Sequence, residues 1–111
     1  AREGYPQLFK AWLPFYLDRL AEGDRYALHK TLLRIMCDLD DTNIVYRTSM
    51  ETMQEVQAEA RRMLERIPET THFEAALQAM NTDYIRRNIS PGGSADMLSL
   101  VVFLSNVVRK Q

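Results

Sequence analysis

Two short stretches hold most of the side chains that could do chemistry. The first is "DDTNIVYR", residues 40–47. It sets two carboxylates, a hydroxyl, an amide and a guanidinium within about two helical turns. Carboxylates hold a hard cation such as magnesium, and an arginine forks onto phosphate oxygens. The same residues also make ordinary caps and turns between helices. Judged in isolation, that plainer role is the better reading. An EF-hand is excluded, because Asn43 stands where its loop needs glycine and Ser49 where it needs glutamate.

The second stretch is "SPGGSAD", residues 90–96. It reads as a tight connection into a helix, with proline at an early position. A helix N-terminus carries unpaired N–H groups and a positive dipole end, and the pair attracts phosphate. Gly92 and Gly93 remove the Cβ atoms that would keep an anion away. Asp96, one turn in, could hold a metal or act as a base. No lysine follows as in a Walker loop, and no strand precedes as in a dinucleotide fingerprint.

Elsewhere the chemistry is sparse. His29 and His72 have no zinc-like spacing and read as surface or capping residues. Cys37 is the single cysteine and reads as a small buried hydrophobe. One cysteine excludes an internal disulfide and fits a reducing, cytoplasmic setting. A net charge of −1 gives no bulk attraction to nucleic acid or to an anionic membrane. No apolar run reaches the roughly 18 residues that would span a bilayer.

The elements that must position these stretches are helices. The chain has 111 residues, 46% apolar and 26% charged, which fits a single helical domain with a real core. Strand alternation is absent, and about five helices are expected. The first runs over 7–22 and is split or kinked by Pro14. Gly23 ends it and Asp24 caps the second, whose stripe is Leu28, Leu32, Ile35 and Leu39. Thr48-x-x-Glu51 forms a capping box for the third, which runs to about Arg66 and stops before Pro68. Thr71-x-x-Glu74 caps the fourth, with Phe73, Leu77, Met80 and Tyr84 as its stripe. The fifth starts within 91–94 and runs to about Arg109. It is apolar around most of its circumference, with only Asp96, Ser99 and Asn106 as a polar stripe. The fold class is an all-α bundle with a buried apolar C-terminal helix, which is expected to pack against something further.

In this order, "DDTNIVYR" and "RRNISPGGSADMLSLVVFL" resemble the C-terminal part of the triphosphoribosyl-dephospho-CoA synthase family. "GYP" near the start is similar to a Gly-Phe-Pro of that family. Family members are associated with prosthetic-group assembly of citrate lyase and malonate decarboxylase. Two departures stand out. Thr48 and Ser49 follow Arg47 where the family has small residues, often glycines. The family's Lys-Pro-Gly-type and Asn-Thr-His-Lys-Gly-type segments have no counterpart in these residues.

The resemblance implies a transfer of the 5-triphosphoribosyl group from ATP to 3′-dephospho-CoA, with release of adenine and with Mg2+ on the triphosphate. It implies that Asp41 and Asp96 share metal binding and base duty. Asn43 and Arg47, and less directly Arg87, contact phosphate. Gly92, Gly93 and Ser94 form a cradle at the helix N-terminus. Each aspartate is then expected to tolerate a change to asparagine with little loss of stability. The remaining part of the synthase, or self-association, is expected to cover the apolar last helix. The alternatives are a non-catalytic helical interaction module and a relative with a different acceptor.

Overall fold

The computed structural model describes residues 4–66 and 70–109. Pro68 and the side chains of Thr71 and His72, read above as a helix stop, a cap and a surface or capping histidine, lie outside the described residues. Every regular element among the described residues is helical, as the sequence pattern requires.

The chain opens with α1 (Gly4–Gln7), a π-helical turn (Leu8–Trp12) and α2 (Leu13–Ala21), which follow one another without a break. Pro14 explains the wide turn. It has no N–H to give, and its ring crowds the carbonyl four residues earlier. The Leu13 N–H therefore reaches back five residues, to the Leu8 carbonyl. The helix runs on through the proline without being split. Gly23 ends α2 at φ 73°, with the Asp24 N–H closing on the Arg19 carbonyl. The Asp24 carboxylate then accepts the Tyr26 N–H at 2.9 Å and pairs with Lys30 at 2.7 Å, starting α3 (Ala27–Asp38).

α3 departs from the single stripe expected of it. Leu28 is 43% exposed and Leu32 and Leu39 are half-buried. The buried set is Ala27, Thr31, Leu33, Ile35, Met36 and Cys37. The cause is its central position, because α3 packs on α5 on one side and on α2 and α7 on another. Leu33, Met36 and Cys37 join one apolar cluster with Val56, Ala60 and Phe73. Ala27 and Ile35 join a second, with Trp12, Met97 and Val101. The buried Thr31 hydroxyl donates to the Ala27 carbonyl, so it adds no unpaired polar group to this wall between two cores.

A sixth helix, α4 (Thr42–Arg47), occupies the stretch whose plainer reading was a loop. The start of α5 (Met50–Arg66) also differs from expectation. Thr48 closes α4 by donating its hydroxyl to the Ile44 carbonyl. Ser49 is the cap of α5, accepting the Thr52 N–H at 3.0 Å. Two helices separated by so short a link need one residue for each end, so the cap shifts by one. In α6 (Thr70–Arg86), Phe73, Met80 and Tyr84 are buried and Leu77 packs beside them, as the spacing indicates. α7 (Gly92–Arg109) buries Ser94, Met97, Val101 and Ser105. Its other side leaves Phe103 63% exposed, with Val107 and Val108 beside it on the helix.

Trp12 is fully buried, and its indole N–H donates to Asp38 at 2.9 Å, which ties the first helix to the end of α3. Trp12→Ala should therefore lower the unfolding free energy by about 3–5 kcal/mol in urea denaturation. A loss under 1 kcal/mol would contradict this packing.

Candidate functional site

The site begins where α4 and α7 meet N-terminus to N-terminus. Asp41 precedes α4 in an extended conformation, and its Oδ1 accepts the Asn43 N–H at 3.0 Å. The same Oδ1 accepts the Gly93 N–H at 3.2 Å. Oδ2 accepts the Ser94 N–H at 2.8 Å and the Ser94 hydroxyl at 3.0 Å. One carboxylate thus caps two helices whose positive ends both point at it. Asp41 is 2% exposed and Ser94 fully buried. A carboxylate offers about four acceptor positions, and all of them are taken.

The paired glycines follow from this contact. A Cβ on Gly93 would sit 3.0 Å from Asp41 Oδ1 and 3.2 Å from its Cγ. A Cβ on Gly92 would sit 2.2 Å from Asn43 Nδ2. What comes close to the backbone is the side-chain pair Asp41 and Asn43. The expected phosphate cradle at Gly92, Gly93 and Ser94 would need Asp41 to give up these donors. The N–H groups of Gly93 and Ser94 already donate to the chain's own carboxylate.

The loop between α6 and α7 is held by a second joint. Asn88 lies at φ 58°, and the following Ile89 N–H reaches back to the Tyr84 carbonyl, which closes α6. Ile89 is buried. The Arg47 guanidinium, at the end of α4, donates to Asn88 Oδ1 at 3.2 Å. Arg87 donates to Asp83 at 3.0 Å and to Glu55 of α5 at 3.0 Å. The Arg87 guanidinium, together with Arg86, holds the Asp83 carboxyl below its ordinary range. Arg87, expected to contact phosphate, is here a strut between α5 and α6. Neither Asn88 nor Ser94's hydroxyl was read for its structural role. An asparagine followed by an apolar residue at a helix end is a signal that could have found the first.

Asp40, Thr42, Asn43 and Arg47 of the first stretch and Asp96 of the second face solvent. Asn43 and Arg47 are exposed and four residues apart, on one face of α4. Asp96 is exposed on α7, four residues after Gly92 and so on the face that Asn43 touches.

The whole chain, residues 1–111, matches the model of the family described as CitG, ATP:dephospho-CoA triphosphoribosyl transferase. The chain belongs to this family. It is 34% identical over 107 residues to a probable 2-(5''-triphosphoribosyl)-3'-dephosphocoenzyme-A synthase of Streptococcus mutans, covering 95% of the chain and 36% of that protein. A synthase of the same description from Albidiferax ferrireducens is 44% identical over 98 residues, 86% of the chain and 32% of the relative. The chain spans about a third of the length of the curated relatives it matches. No solved structure matches it.

The expected Mg2+ needs oxygen donors, and Asp41 and Asp96 are the carboxylates in question. Magnesium takes oxygen ligands in near-octahedral order, often one or two carboxylates plus substrate phosphates and water. Asp41 does not fit, because it has no acceptor position left. Service as metal ligand or base, the expectation for Asp41, would require one of these donors to be released. Among the described residues no three His, Cys, Asp or Glu side chains cluster as a metal site. Asp96 fits as a single exposed carboxylate ligand, which by itself does not complete a shell.

Two outcomes follow in this CitG-family chain. Asp41→Asn turns an amide NH2 toward donors and should cost about 2–4 kcal/mol of stability in urea denaturation. This replaces the expectation of little change, and an unaltered midpoint would contradict the double cap. Gly92→Ala should lower the melting temperature, and adding Asn43→Ala should restore most of the loss. A double variant no more stable than Gly92→Ala alone would show that Asn43 is not the obstacle.

Proposed function

We propose that this chain forms part of the active site of a synthase that transfers the 5-triphosphoribosyl group of ATP to 3′-dephospho-CoA. In that reaction the acceptor's 2′-hydroxyl oxygen bonds to C1 of the ATP ribose. The bond from C1 to adenine breaks, its electron pair leaves with adenine, and the hydroxyl proton is passed on so that adenine departs neutral. The observation that carries the reading is the family match over the whole chain, together with the joining of both motif stretches at Asp41.

Within that reading the residues divide by exposure. Asp41, Gly92, Gly93 and Ser94 are the frame, and Arg87 ties the end of α6 to α5. Asn43, Arg47 and Asp96 face outward and meet the substrates. Arg47 and Asn43 suit phosphate oxygens as a fork and an amide donor. Asp96 suits two tasks, holding Mg2+ against the triphosphate or taking the hydroxyl proton. Magnesium, when bound, would neutralise phosphate charge. The reaction's place in citrate lyase or malonate decarboxylase prosthetic-group assembly belongs to the same proposal, as does a cytoplasmic setting.

The remaining two-thirds of such a synthase supply the rest of the site and cover the exposed Phe103, Val107 and Val108 of α7. An apolar patch on a helix that is otherwise packed is what an internal interface leaves when one side is described alone. No helix among the described residues is long and apolar enough to cross a membrane. The 111-residue chain by itself is therefore expected to release no adenine.

In the full-length synthase, Asp96→Asn should lower the rate of adenine release by roughly 10²–10⁴-fold while shifting the melting temperature little, since Asp96 is exposed. Adenine release counted by chromatography, with ATP, Mg2+ and 3′-dephospho-CoA present, is the measurement. Unchanged release would remove Asp96 from the chemistry. No release from the wild-type synthase would remove the proposed reaction.

A further inference from the structure

A cleft of about 540 Å³ separates α3 from α6 and runs up to the start of the Ser90–Asp96 motif. Its size falls within the range of small-molecule sites. The floor is apolar, made by Leu32, Leu33 and Met36 from α3 and Leu77 and Met80 from α6. One end is closed by Ile89 and Pro91, next to the Gly92–Asn43 crossing. The cleft is held open by bulky groups. Tyr26 and Tyr84 line its wall, and each fixes its hydroxyl on a carboxylate, Tyr26 on Glu74 at 2.8 Å and Tyr84 on Glu59 at 2.8 Å. Burial and the Glu59 hydrogen bond push the Tyr84 hydroxyl above its ordinary range, so it stays a neutral donor.

The rim differs from the floor. Gln78 and Asn81 are exposed amides three residues apart on α6, and His29 of α3 and Arg25 of the turn before it are also exposed. The Arg25 guanidinium lies over the Tyr26 ring, 5.2 Å from its centroid. An apolar floor with amides along the edge suits a narrow, uncharged chain that carries its own amides. It does not suit a diphosphate, which calls for several converging cations.

We propose that this cleft binds the pantetheine arm of the acceptor, with the acceptor's nucleotide end lying at the Asn43–Gly92 crossing. The arm is uncharged, has two amides for the rim and presents methyl and methylene groups to the floor. The inference rests on the proposed transfer, because it takes 3′-dephospho-CoA as acceptor. Its distinguishing consequence is that the cleft reads the arm and not the nucleotide.

The test uses the full-length synthase with its ATP site saturated by an ATP analogue that cannot lose adenine, and two probes, 3′-dephospho-CoA and ADP, which is the same nucleotide without the arm. Gln78→Trp places a large ring at the rim from an exposed position, and its melting temperature checks the fold. Calorimetric titration should show 3′-dephospho-CoA bound about tenfold more weakly by Gln78→Trp, a change of about 1.4 kcal/mol, and ADP bound as before. Asn81→Ala should move affinity in the same direction by less. Equal weakening of both probes would point to a rim buried by protein and would overturn the proposal. Unchanged affinity for 3′-dephospho-CoA, or no binding of it by the wild type, would do the same. Adenine release, assayed separately, distinguishes failure of the cleft from failure of the reaction: arm-specific loss without adenine release keeps the cleft and removes the transfer.

Discussion

The arrangement depends on one buried carboxylate between two helix N-termini. Asp41 accepts N–H groups from its own helix start and from residues 52 and 53 positions later. Burying a charge is unfavourable unless donors replace the lost water. Here the donors are three backbone N–H groups and the Ser94 hydroxyl, at the positive ends of α4 and α7. The contact demands that α7 approach α4 closely, and that demand reaches the sequence as two adjacent glycines. A side chain at either would push into Asp41 or Asn43. The frame then fixes where Asn43, Arg47 and Asp96 face outward.

The same geometry explains which parts of the fold were legible in the sequence. α6 and α7 were readable because their signals are local: an apolar spacing for one, a proline and glycines before an apolar run for the other. α3 misled because a helix packed on two clusters has no single stripe, and Leu28 falls outside both. The cap of α5 slipped from Thr48 to Ser49 because Thr48 was needed by α4, a helix short enough to pass for a loop. The site was half legible. Its two motif stretches stand out by composition, and the double glycine announces a close approach. Which group approaches is decided by a pairing across the chain, and nothing in the residues near Gly92 records it.

The arginines show a related limit. Arg47 and Arg87 both belong to a polar cluster that could hold phosphate. Arg87 pairs with Glu55 and Asp83, and Arg47 leans on Asn88. A guanidinium with two carboxylate partners has its charge balanced within the fold, whereas one resting on a neutral amide meets no countercharge there. That difference, like the occupancy of Asp41, is set by partners on other helices. The division into a closed frame and a small outward set is consistent with a chain that spans about a third of its relatives' length. Under the proposed function, the outward set and the α3–α6 cleft are where substrates would meet the chain.

The central claim is that Asp41, and not a phosphate, occupies the N-terminus of α7. Amide hydrogen exchange at Gly93 and Ser94, followed by NMR on this chain with no nucleotide present, tests it most directly. Both amides should be protected to the level of helix interior positions such as Val101, and adding ATP with Mg2+ should leave them unchanged. Fast exchange at both, slowed only when ATP and Mg2+ are added, would show an open cradle awaiting phosphate and would contradict the account.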